Sequence, residues 1–364
     1  MKKIVYTTII LTIIMISIIS QSIATNFKIH KINLEKDIYK IIPTNDFILH
    51  EIKVIPNRKL VIFYQDKSEA NLNKNFALVF NYENKKVLKN LALPITRYKQ
   101  SVVDKSGNIY ILSWKPVDLY FLDTQNLSIS KAYDNTFIEN QPKYLFNLDS
   151  RLLKSFNGEV LVTMDLRKQK EYIDDVVICK IEYVNNELKI IPYFSSISIS
   201  EYFGNEPHYM IINYPLNIFV NKINSNRVYD IKTSQEYTEK VDIQSICKEF
   251  NFICKRLFDA SNRYLLVSLY EENKHKLTLV DYTKQEQKVY INNEKFIEAR
   301  FLSDKQVIFC AFENKKINYY LFTIDGAKIE KIPLENVKNT VIEIIDKRTF
   351  LSFDKQNIYI VSLE

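Results

Sequence analysis

The densest group of chemically useful side chains in this 364-residue chain is the run Gly204-Asn205-Glu206-Pro207-His208-Tyr209. An imidazole and a carboxylate two residues apart, framed by a glycine and a proline, can orient a ligand or exchange a proton with it. The plainer role for the same residues is a turn entering a strand, with His208 solvated or hydrogen-bonded. A second charged loop, Asp165-Leu166-Arg167-Lys168-Gln169-Lys170-Glu171 with Asp174-Asp175, carries carboxylates that Ca²⁺ could use. Its interleaved cations and the lack of a D-x-D-x-D-G pattern point instead to a solvated loop, so no metal is assigned. Trp114 is the only tryptophan. It either stacks on a sugar or peptide or fills space between structural units.

Other chemistry is excluded or left without a carrier. Only 4 glycines occur, none close to another, which rules out a phosphate-cradling loop and a G-x-G-x-x-G fingerprint. Neither G-x-S-x-G nor H-E-x-x-H is present, so no catalytic residue and no cofactor is assigned. His30, His50 and His275 stand without a Cys or His at ligand spacing, and strand or turn positions account for them. Cys247 and Cys254 are spaced for a local disulfide, whereas Cys179 and Cys310 lie in apolar runs and read as small buried hydrophobes.

The elements that must position these residues follow from one repeated pattern. A turn signal precedes a short apolar strand at Lys59–Tyr64, Asn108–Ser113, Glu159–Met164, Leu216–Val220, Arg263–Leu269, Gln306–Ala311 and Thr349–Phe353, in steps of 43 to 57 residues. Further alternating segments surround each anchor, for example Phe47–Val54 before the first and Phe76–Tyr82 and Val87–Leu91 after it. The unit from Tyr209 to about residue 240 is the least regular. A drifting all-strand period of this size predicts an all-β chain, a seven-bladed β-propeller with a six-bladed alternative. The last unit stops after three strands. The alternating segment Phe27–Leu34 supplies the missing fourth and would close the ring, covering an exposed edge.

Asp104-Lys105-Ser106-Gly107-Asn108-Ile109-Tyr110 resembles the D-x-x-G-N-x-Y blade signature of extracellular propellers. Trp114-Lys115-Pro116 with Leu119-Tyr120-Phe121-Leu122-Asp123 is distantly similar to a blade of the yellow/royal-jelly propellers. The resemblance implies the architecture and no ligand, since propellers host many functions.

The repeat also selects a working face. Turns between strands one and two and between three and four are short. Long connections such as 65–75, 165–175, 194–208 and 239–251 fall between strands two and three or between units, which emerge on one face. Long loops carry binding more often than short ones, so Trp114, Lys115, Arg167, Glu206 and His208 are the candidate ligand-binding residues.

Lys2 and Lys3 precede an uncharged apolar run from Ile4 to Ile19, followed by Ser22 and Ala24 at small-x-small spacing. That is a secretory signal peptide with cleavage after Ala24, leaving one domain over residues 25–364 outside the cytoplasm, periplasmic or secreted. An uncleaved membrane anchor is the alternative. The net charge of +7 falls to +5 without the leader, and its Lys-Lys pairs sit singly in turns, which argues against a nucleic-acid partner. The expectation is an exported, non-enzymatic propeller that binds a protein, peptide or small ligand. The alternative is a secreted hydrolase or lyase with its site at the channel mouth.

Overall fold

Turn chemistry decides where each strand ends. In a computed structural model, Asp104 Oδ1 accepts from the backbone N–H groups of Ser106 (2.8 Å) and Asn108 (2.9 Å). The Thr124 hydroxyl donates to the Gly107 carbonyl at 2.9 Å, tying this hairpin to the next. The motif singled out in the sequence is thus a self-satisfied turn between strands Tyr98–Val103 and Ile109–Ser113. Gly107 has φ +86°, and a Cβ there would sit 2.4 Å from Pro56 Cδ. With so few glycines, the chain uses other residues in the left-handed region: Asn57 and Arg58, Asn185 and Asn186, Asn314 and Lys315 all have positive φ. Two consecutive positive-φ residues match the right-handed twist of a tight hairpin.

The structure describes residues 25–364 except 69–73, 115–116, 134–143, 147–149, 155–157, 167–175, 196–207, 214–216, 223–224, 234–235, 243–252, 262, 272–273, 282–283, 285, 293–294, 335–336, 338–341 and 355. Among the described residues the strands form seven antiparallel sheets. The first holds Phe47–Ile55, Lys59–Asp66, Lys74–Asn81 and Lys86–Leu93, paired in chain order. The second adds Leu119–Asp123 and Ser128–Tyr133 to the two strands already named. In the third, Tyr144–Leu145 and Leu152–Lys154 both pair with Val160–Leu166, which continues to Val176–Val184 and Glu187–Ser195. The least regular unit nevertheless forms a four-stranded fourth sheet from His208–Asn213 to Glu236–Asp242. The fifth runs from Ile253–Ala260 to Glu286–Asn292 and the sixth from Lys295–Ser303 to Lys328–Ile332.

The seventh sheet joins the two ends of the chain. Ile342–Asp346, Thr349–Phe353 and Asn357–Leu363 are completed by Phe27–Asn33, which pairs antiparallel from Phe27 with Leu363 to Asn33 with Asn357. The strand expected to reach Leu34 stops at Asn33. There Oδ1 accepts from Lys36 N at 2.9 Å and the Asn33 N–H donates to Asp37 Oδ2 at 2.9 Å, turning the chain into a wide helical turn, Leu34–Ile38. Ile38 and Ile42 then drop into the apolar core between the seventh and first sheets.

Both faces of each well-described sheet are buried, so the anchor strands read as continuous apolar runs rather than alternating ones. Leu60, Ile62 and Tyr64 pack with Leu351, Ile358 and Ile360 of the seventh sheet. Val61 and Phe63 point the other way, onto Ile109 and Ile111 of the second. Tyr110 and Leu112 pack against Val160, Val162 and Cys179 of the third. The same alternation sends Phe309 toward Leu266 and Leu279 of the fifth sheet, and Ile308 and Cys310 toward Phe350 and Val361 of the seventh. Consecutive sheets therefore stack face on face through the series fifth, sixth, seventh, first, second, third. Cys179 and Cys310 lie in different cores, each fully buried, as small hydrophobes do. Burial pushes the Cys179 thiol up to about 12.

Candidate functional site

A cleft of about 530 Å³ opens where the first and second sheets meet, at the end carrying the connections between strands two and three and between sheets. Its size lies within the roughly 300–1,000 Å³ span of small-molecule sites. The first sheet supplies His50, Gln65, Lys67 and Asn75. The connection to the second sheet supplies Arg97, the start of its first strand supplies Tyr98, and the connection after Ile109–Ser113 supplies Trp114.

A bulge aims His50. Leu49 pairs with Tyr64 and Glu51 with Phe63, so His50 is the extra residue of the strand. Such an insertion bends a strand and redirects a side chain. The imidazole lies flat on the Tyr98 ring, with centroids 5.0 Å apart and planes 9° apart. Its Nε2 is 3.0 Å from Asn75 Oδ1. Asn75 is buried, and its Nδ2 donates to the carbonyls of Ile95 and Thr96, each at 3.1 Å. With the amide nitrogen committed, Oδ1 must accept, so His50 carries its proton on Nε2 and presents a basic lone pair at Nδ1. Burial holds the imidazole below its ordinary value; the Asn75 bond and the Glu51 charge oppose that only in part. His50 is therefore neutral at pH 7.

The remaining wall is cationic and aromatic. Lys67 and Arg97 line the cleft, and among the described residues no carboxylate does. Trp114 is 38% exposed, and the Lys99 ammonium lies 4.9 Å from its ring centroid. The Trp114 N–H donates to the Arg97 carbonyl at 2.9 Å, which fixes the tryptophan's connection to the arginine's.

Tyr98 leads from the cleft toward the first strands of the sheets. Its hydroxyl donates to Glu51, which also accepts from the Ser101 hydroxyl at 2.8 Å. Burial raises the phenol well above its ordinary value. Glu51 Oε1 is 2.6 Å from Lys53 Nζ, and Lys53 reaches Glu343 of the seventh sheet at 3.3 Å. Burial is the largest single influence on Lys53 and pulls its ammonium down, but Glu343 and Glu51 together outweigh it and hold it above the ordinary range. Lys154, exposed along part of its length, is pulled below that range chiefly by the surrounding protein. The first strands thus present a charged lining whose acids and bases come from different sheets.

Of the residues nominated from sequence, Trp114 lines the cleft, on the face the loop lengths selected. Its exposure excludes a role as filler between sheets. Lys115, Arg167, Glu206 and Cys247 lie outside the described residues. His208 opens the first strand of the fourth sheet and Cys254 lies in the first strand of the fifth; only their backbone is described. His50, accounted for from sequence by a strand or turn position, does lie in the strand Phe47–Ile55, at its bulge, where it is stacked and hydrogen-bonded in the cleft. Arg97 and Lys67 were missed. The Pro94-Ile95-Thr96-Arg97 connection ahead of an aromatic strand start was the available signal.

No protein-family model matches the chain, and no curated protein matches it. Solved structures do. An oligogalacturonate lyase in complex with manganese aligns with TM-score 0.55 at 8% identity, covering 94% of this chain and 97% of that one. The β-propeller domain of the Trilobed protease from Pyrococcus furiosus aligns with TM-score 0.52 at 12% identity, covering 87% and 93%. The Pyrococcus horikoshii acylaminoacyl peptidase aligns with TM-score 0.51 at 14% identity and 87% coverage, but this chain spans only 51% of its length. At such identities the likeness is one of fold. The chain is an all-β protein, mostly of four-stranded antiparallel sheets, with the β-propeller fold.

Proposed function

We propose that the protein is an exported seven-bladed propeller that binds a small carboxylate-bearing ligand in the cleft between its first two blades. Seven sheets among the described residues support that count over six. Ring closure is supported by the pairing of Phe27–Asn33 with Asn357–Leu363 and by the Lys53–Glu343 ion pair between the first and last sheets. The observation that carries the ligand class is the lining itself. Among the described residues the wall holds two cations, a neutral imidazole, a tryptophan and a tyrosine, and no acid. Cations pair with carboxylate oxygens, and exposed aromatic faces receive the apolar face of a sugar or peptide. The test is titration with galacturonic acid, digalacturonate and galactose, following the emission of the single tryptophan. Saturable change with the acids and none with the neutral sugar supports the reading. Arg97→Ala should weaken acid binding roughly tenfold to a hundredfold, the equivalent of one charge-assisted hydrogen bond at ~1.5–3 kcal/mol.

One observation favours a catalytic second reading. A neutral His50 with its lone pair at Nδ1, beside two cations, is arranged to take a proton from carbon next to a carboxylate. Arg97 and Lys67 would stabilise the negative charge that develops. Hydrolases and lyases occur among the structural neighbours, one of them named for an oligogalacturonate substrate. Appearance of an unsaturated product from digalacturonate, abolished by His50→Gln, would convert the binding reading into a lyase one.

A further inference from the structure

We infer that Glu330 is a receptor for the amino group released when the Ala24–Thr25 bond is cut, so that leader removal adds a lock to the closing strand. Thr25 is held by both of its hydrogen-bond donors. Its backbone N–H donates to Glu330 Oε1 at 3.2 Å, and its hydroxyl donates to Glu330 Oε2. Glu330 belongs to Lys328–Ile332, the last strand of the sixth sheet. Thr25 stands two residues before Phe27–Asn33, the outer strand of the seventh. The contact therefore crosses from one sheet to the next at their outer edges. Next to it the Glu364 N–H donates to the Asn26 carbonyl at 3.0 Å, aligning the two chain ends.

In the uncut chain this contact is an amide hydrogen bond. Hydrolysis by a signal peptidase places water's oxygen on the Ala24 carbonyl carbon, giving a carboxylate on the released leader. The nitrogen leaves as the Thr25 amine, which is protonated below about pH 8. The same atom 3.2 Å from a carboxylate then carries a full positive charge. The carboxylate is ready for it. Burial pushes Glu330 up, but Lys328 Nζ at 2.7 Å and the two Thr25 donors outweigh burial and hold it below the ordinary carboxylate range. A small-x-small site ending at Ala24 is where a signal peptidase cuts, and the residue after it is the one the fold grips.

The ion pair raises the α-amine pKa in the folded state. Its stabilisation is therefore complete below the unfolded value near 8 and is lost as pH rises through the folded value. The experiment uses the full chain, exported and purified. N-terminal sequencing should find Thr25 first. The acylation rate of the α-amine, read by mass spectrometry across pH 6–10, should give an apparent pKa above about 8. Glu330→Gln should react severalfold faster at pH 7.5, and Lys328→Gln, which leaves the carboxylate to Thr25 alone, should react more slowly than wild type. A first residue other than Thr25, or equal rates in wild type and both variants, overturns the proposal.

Discussion

Replacing Asn75 by leucine keeps the side chain's heavy-atom count and branching but removes the amide that joins the cleft together. The variant strips the Ile95 carbonyl of a buried donor, the Thr96 carbonyl of a part-buried one, and His50 Nε2 of its acceptor. A buried polar group left without its partner costs roughly 1–3 kcal/mol. Counting Ile95 fully and the two less buried groups in part gives about 2–4 kcal/mol. With a urea slope near ~3 kcal/mol/M for a chain of this size, the midpoint should fall by about 1 M. The control is Asn90→Leu, which removes one hydrogen bond to the Tyr64 hydroxyl from an exposed position and should lose no more than ~1 kcal/mol. Unfolding followed by Trp114 emission reports on the cleft directly. If the two variants shifted equally, with Trp114 emission unchanged in both, Asn75 would not be the organiser described.

Other outcomes follow from the same structure. Gly107→Ala forces both a positive φ and a 2.4 Å contact with Pro56, so it should lose roughly 2–4 kcal/mol in thermal unfolding. Gly326→Ala, at φ +91° with open space around it, should lose only about 1 kcal/mol. Because burial depresses the folded pKa of His50, its contribution is present above the unfolded value near 6.5 and is lost as pH falls toward the folded one. The stability difference between wild type and His50→Gln should therefore shift against wild type from pH 7.5 to pH 5. Lys53→Met leaves Glu51 and Glu343 without their shared cation and should lose roughly 2–4 kcal/mol by urea denaturation.

The strands were legible in the sequence because turn residues bracket them. Lys328–Ile332 and Thr349–Phe353 are found at the bounds their flanking polar turns imply, and Phe27–Asn33 was recognisable from its alternation as the partner of an otherwise bare edge. The wide turn at Leu34–Ile38 was not, since it depends on Asn33 and Asp37 closing on each other's neighbourhood. The candidate site was legible as a face but mostly not as residues. Trp114 drew notice as the sole tryptophan on a loop. His50 did not, because the bulge shows only as a one-residue slip of the alternation, from Phe47 and Leu49 to Ile52 and Val54 on the same core. Its partners Asn75 and Tyr98 lie 25 and 48 positions away, the first brought near by strand pairing within one sheet and the second by the stacking of two sheets.

Carboxylate binding in the cleft stands or falls with titration of the purified protein with digalacturonate, followed by Trp114 emission at two salt concentrations. Emission should change saturably, with a response that weakens as salt rises, is lost in Arg97→Ala, and is absent with galactose. Equal responses to the neutral and acidic sugars, or a response unaltered in Arg97→Ala, would contradict it.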